Sequence, residues 1–255
     1  MAAAAAATVV ALAFALSTLD RWQITRRRHE AAWTVALFLF TGASASLLLG
    51  AAIGWSSGTF RTFYYLGAIA NVPVLALGTV ELVLGPRWGT RCARAVAGFC
   101  LFSAGVLTVA PLRAPIDADT LPRGADVFGP LPRVLAAVGS SVGALVIFVG
   151  AMASMAGLLR SRGPARSAIA NLLIAAGTVV LSVGGLFNSV ASEMTSFAVS
   201  LVLGIVLIFA GFLTATVASP PRLLSAVTPL PTMLADDFTD AGGNGSELGT
   251  GNRSG

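Results

Sequence analysis

Hydrophobic residues in this chain come in long unbroken blocks, and polar residues are gathered into short stretches between them. The blocks show neither the alternation of a half-buried strand nor the one-sided stripe of a surface helix. A helix that is apolar all round and about 20 residues long matches the hydrocarbon thickness of a bilayer. The pattern predicts seven membrane-spanning helices, at about 2–19, 31–55, 63–84, 95–112, 134–159, 167–190 and 197–218. The expected fold class is therefore all-α: a polytopic membrane helix bundle occupying residues 1–218. Past that point Pro220, Pro221, Pro229 and Pro231 give way to Gly, Ser, Asn and Asp with no apolar period, which predicts a disordered tail over 219–255. The first block is alanine-rich, and its arginines follow the apolar run instead of preceding it. That order opposes a cleavable signal peptide and predicts an uncleaved first span.

Composition supports a lipid solvent. Charged residues make up 11% of the chain and hydrophobic ones 56%, whereas soluble domains are about 25% charged. Every basic side chain is arginine, so a Schiff-base lysine is excluded. A net charge of +5 could suggest nucleic acid, but the arginines sit in short loops between apolar blocks. That placement is a topology signal and predicts no nucleic-acid partner. One set of alternate loops carries Arg21, Arg26, Arg27 and Arg28, then Arg87, Arg91 and Arg94, then Arg160, Arg162 and Arg166. The opposite set carries Arg61, then Arg113, Arg123 and Arg133 diluted by Asp117, Asp119 and Asp126. The positive-inside rule then predicts a multi-pass protein of the cell (cytoplasmic) membrane, N-terminus outside and C-terminus cytoplasmic. Trp22, Trp33, Trp55 and Trp88 fall at predicted span ends, where an indole prefers the headgroup level.

Few residues invite chemistry. His29 is the one histidine, which excludes bis-histidine haem and histidine-rich metal sites. Cys92 and Cys100 lie on one predicted helix, a rise of about 12 Å apart, too far to bridge. The loop aspartates fit no calcium-binding spacing and predict a solvated loop. No Walker loop, Gly-x-Ser-x-Gly or His-Glu-x-x-His is present. No catalytic residue, cofactor or metal ligand is expected, and no enzyme.

The third block holds the candidates. Asn71, Val74, Gly78 and Glu81 recur at helical spacing, and Pro73 removes the hydrogen bond to the Ile69 carbonyl and predicts a bend. Two readings stand side by side. Asn71 and Glu81 form a polar track for a proton, cation or small solute; or Glu81 pairs with Arg91 or Arg94 while Asn71 bonds a neighbouring backbone. The fifth, sixth and seventh spans carry no internal proline, so the paired broken helices of alternating-access carriers are missing. Arg26, Arg27 and Arg28 predict contact with anionic lipid headgroups at about 1 kcal/mol each. Glycines seven apart (Gly78 and Gly85; Gly98 and Gly105; Gly143, Gly150 and Gly157; Gly177 and Gly184; Gly204 and Gly211) predict close-packing helix seams.

Residues 31–37 (Ala-Ala-Trp-Thr-Val-Ala-Leu), 67–73 (Gly-Ala-Ile-Ala-Asn-Val-Pro) and 77–80 (Leu-Gly-Thr-Val) resemble a group of uncharacterised actinobacterial multi-pass membrane proteins. The likeness covers mainly the second and third spans, and it implies a membrane fold with no assigned activity. The expected function is a non-catalytic membrane packing or interaction protein. Its partners are the lipid bilayer, anionic headgroups at the cytoplasmic loops, and a protein that meets the C-terminal tail. The alternative is a small-solute or ion transporter or channel using Asn71 and Glu81.

Overall fold

In the computed structural model, residues 2–160, 165–191 and 194–217 are described. The expected tail over 219–255 and the loop residue Arg162 lie outside them. Among the described residues the regular structure is helical apart from one antiparallel bridge, Leu112 to Phe128.

The helices run further than hydropathy alone suggests. Helix α1 (Ala2–Thr25) and α2 (Arg28–Ile53) leave only Arg26 and Arg27 between them. Arg26 takes a positive φ of 54° and its N–H returns to the Trp22 carbonyl, so a left-handed residue closes α1. The expected linker over 20–30 is therefore mostly helix. Gly54, at φ 93°, ends α2, and Ser56 caps α3 (Ser57–Phe63) by accepting from the Thr59 N–H at 3.1 Å. The rod continues as a π-helical segment (Tyr64–Ala70) and then α4 (Asn71–Leu84). Gly85, at φ 82°, ends α4, and Pro86 opens α5 (Pro86–Val109) at a position where a missing N–H costs nothing. After the short α6 (Gly124–Val127) come α7 (Pro130–Arg160), α8 (Ala165–Ala191) and α9 (Met194–Val217).

Five helices are long and apolar enough to cross a membrane: Ala2–Thr25, Arg28–Ile53, Ser57–Leu84, Pro86–Val109 and Pro130–Gly157. Within α8 and α9 the described apolar stretches are Ala168–Leu181 and Val199–Gly211. Large apolar side chains face outward throughout, among them Leu16, Leu49, Leu101, Val149, Leu172 and Leu203. Small residues face inward, as in the fully buried stripe Ala7, Ala11, Ala15 and Thr18 of α1. A water-soluble protein does the reverse; a bundle in lipid packs its helices through small residues.

Neighbouring helices form a closed ring in the order α1, α2, α4, α7, α8, α9 and back to α1. Helix α5 stands outside the ring, against α4 and the π segment. The expected glycine seams hold on two contacts of the ring. On α7, Gly143 admits Val72 and Gly150 admits the Thr79 methyl. Between α8 and α9, Gly177 meets the Gly204 backbone, and Gly211 meets the Ala170 carbonyl. Elsewhere the expectation is corrected. Among the described residues Gly98, Gly105 and Gly157 have nothing within 4 Å, and Gly85 is a helix end. Trp33 packs inward on Gly78, and Trp55 is buried against Gly50 and Phe60, so neither points outward. Trp88 is exposed, with Arg91 over its ring at 5.1 Å.

The segment between α5 and α7 is more than a solvated loop. Phe128 is fully buried and stacks on Phe60 at 5.4 Å between centroids. The Trp55 N–H donates to the Ala118 carbonyl at 2.9 Å. Arg61 reaches back to the end of α5, donating to the carbonyls of Leu107 and Ala110. These are carbonyls that a helix C-terminus leaves unpaired, so the lone arginine of this turn is a helix cap. Asp117 is absorbed locally, accepting from the Asp119 N–H and the Thr120 hydroxyl.

Candidate functional site: an axial cavity at Asn71

Pro73 sets up the site. It has no N–H, so the helix cannot close on carbonyls four or five residues back. The preceding turns slip into the wider π register, in which the Asn71 N–H donates to the Leu66 carbonyl. In that register the Ala68 carbonyl would need the missing N–H of Pro73. Ser140 of α7 supplies the bond, donating through Oγ at 2.7 Å. Gly139 beside it lets α7 lie directly on the Ile69 carbonyl. The expected feature at Pro73 thus takes the form of a π segment locked to its neighbour.

Asn71 begins the regular helix that follows, and it is 8% exposed. Its side chain opens into a cavity of about 90 Å³ on the axis of the ring. All six ring helices line it, including Phe14, Trp33, Phe40, Thr79, Ile147 and Ile205. Among the described residues no group hydrogen-bonds the Asn71 carboxamide, and none bonds the Thr79 hydroxyl. The Thr18 and Thr178 hydroxyls, also in the lining, donate to carbonyls of their own helices, Phe14 and Ile174. Unpaired polar capacity in the cavity lies at Asn71 and Thr79 on α4, with the Trp33 indole N–H of α2 as a further donor in the lining.

Glu81 does not join it. The cavity face of α4 is Asn71, Leu75 and Thr79, four residues apart. Two residues beyond Thr79 the helix has turned by about 200°, so Glu81 faces the other way. It packs on Gly89 of α5, where no side chain larger than hydrogen fits. Its Oε2 is buried without a hydrogen-bond partner, and among the described residues it forms no ion pair with Arg91 or Arg94. Asn71 likewise bonds no neighbouring backbone with its side chain. Neither expected pairing is made, and the two residues do not meet.

Arg26, Arg27 and Arg28 are all exposed at the α1–α2 turn. Arg26 lies over Trp22 at 5.6 Å, and Arg28 donates to Thr90 at 2.9 Å. That last bond puts two arginine-rich turns, 26–28 and 87–94, at the same end of the bundle.

Glu30 is the acid that hydropathy reading misplaced. The predicted spans leave it just outside the second one, at residue 30, yet it is fully buried in the first turn of α2. Arg21 donates to its Oε1 at 2.6 Å, and Thr25 donates to its Oε2. The pair clasps α1 to α2 about a turn from Trp33 and Thr18, at one end of the cavity. Opposite charges nine residues apart across a helix turn were the available signal. Among the described residues no three His, Cys, Asp or Glu side chains gather where a metal ion could bind. In comparisons with known proteins, no family model matches the chain, and no curated protein or solved structure matches it.

Proposed function

We propose that the chain is a seven-span protein of the cytoplasmic membrane, N-terminus outside, that holds a small solute on the axis of its helix ring, as a transporter or channel does. The observation that carries this reading is Asn71. Its carboxamide bonds no described residue, yet its polar atoms are not sealed and keep the accessible surface that the cavity provides. An intramembrane polar residue facing the interior of a bundle is a functional candidate by default. Clustering of arginine-rich turns at one end supports the orientation. Exposure of Arg26, Arg27 and Arg28 supports contact with anionic headgroups there.

The other reading, a non-catalytic packing and interaction protein, draws support from Glu81. Turned onto Gly89, it leaves no continuous polar track from Asn71 to the arginine-rich end. Substituted-cysteine labelling separates the two. In a chain with Cys92→Ser and Cys100→Ser, Asn71→Cys should react with a small methanethiosulfonate, since a thiolate forms only where water reaches. Labelling no faster than a lipid-facing Leu101→Cys control would end the transport reading.

A further inference from the structure

We infer that the axial cavity selects a small uncharged molecule with an apolar body and a single hydrogen-bonding head, such as a short alcohol or amide, and rejects ions. This rests on the solute-holding reading above and names its substrate class. Charge in the neighbourhood is spent elsewhere: Glu30 on Arg21 and Thr25, and Glu81 on the far side of α4. Among the described residues no charged side chain lines the cavity. An ion entering it would lose its hydration and gain no counter-charge, the costliest exchange in a protein interior.

The polar wall has the opposite suitability. A carboxamide offers both an acceptor oxygen and donor hydrogens. Asn71 can therefore satisfy a hydroxyl or amide in both senses at once. Around it stand Phe14, Phe40, Ile147 and Ile205, which offer dispersion contact and no further polar demand. Size narrows the class again. An apolar cavity of about 150 Å³ takes benzene; one of about 90 Å³ takes a body of a few carbons.

The test uses the full chain in nanodiscs and the photoreactive alcohol azibutanol, with adducts mapped by mass spectrometry. Adducts are expected on cavity residues such as Trp33 and Leu75. Excess n-butanol should suppress them, and fluorobutane, its isostere without a donor, should do so roughly five- to tenfold less effectively, as befits one lost hydrogen bond. Butylammonium and butyrate should leave them unchanged. Asn71→Leu should erase the preference for n-butanol over fluorobutane. The competition series on the native chain needs no variant, so a folding defect in the leucine variant does not remove the test. Equal competition by butylammonium or butyrate overturns the substrate class while leaving the solute-holding reading in place. Adducts confined to outward-facing residues such as Leu101 and Val109 overturn both.

Discussion

The Ser140 hydroxyl of α7 donates a 2.7 Å hydrogen bond to the Ala68 carbonyl, the acceptor that Pro73 deprives of its own helical partner. One residue breaks the register, and another, 67 positions later, repairs the exposed group. The repair fixes the rotation of α4, and so determines that Asn71 faces the ring axis.

Ser140→Ala should destabilise the protein by about 1–3 kcal/mol, because it strands a carbonyl away from water. Pro73→Ala restores an N–H to the helix. The double variant should therefore lose less than the sum of the single changes, a coupling readable by unfolding in SDS or by heat. Strict additivity would mean that the serine bond and the proline are unrelated.

Seam glycines and outward glycines should behave oppositely. Gly150→Val drives two methyls into Thr79 and should cost about 1–3 kcal/mol. Gly98→Ala and Gly105→Ala meet nothing within 4 Å and should be neutral or gain up to about 1 kcal/mol of helix preference. Thermal melting of the three variants in one detergent checks both halves.

Glu30→Gln removes the charge that Arg21 faces. Arg21 is 32% exposed and keeps access to water, so the expected loss is on the order of 1–2 kcal/mol, below that for a fully enclosed pair. Arg21→Ala combined with Glu30→Gln should recover part of it, as a cycle of unfolding energies would reveal.

Glu81→Gln is the contrasting acid. With no ion pair among the described residues, its neutral isostere should leave the unfolding free energy within about 0.5 kcal/mol of native. A large loss would require a counter-ion that the described residues do not contain.

Orientation has its own test. Arg27→Cys and Thr120→Cys, each in the chain lacking Cys92 and Cys100, should label from opposite sides of the membrane in intact cells. Labelling from the same side would refute the arginine-based topology.

Helical blocks were legible in hydropathy because a segment apolar on all sides has few alternatives. Asn71 stands out as an amide inside such a block, and the structure places it in the cavity lining. Rotation was not. Expectation grouped Asn71 with Val74, Gly78 and Glu81, whereas the cavity face is Asn71, Leu75 and Thr79. In a lipid-soluble protein the outer and inner faces are equally apolar, so periodicity says little about which face meets which neighbour. Rotation is decided by partners distant in sequence: Ser140 for Ala68, Gly150 for Thr79, Gly89 for Glu81. The same holds for Arg61, which reads as a stray loop charge until the end of α5 folds beneath it.

Contact between α1 and α9 joins the first described helix to the last described one. During synthesis, then, the alanine stripe of α1 waits with one flank uncovered while every intervening helix emerges. The chamber cannot exist on the ribosome. It comes into being only when α9 joins the other ring helices, and a chain truncated before Ile205 would leave the pocket missing a wall.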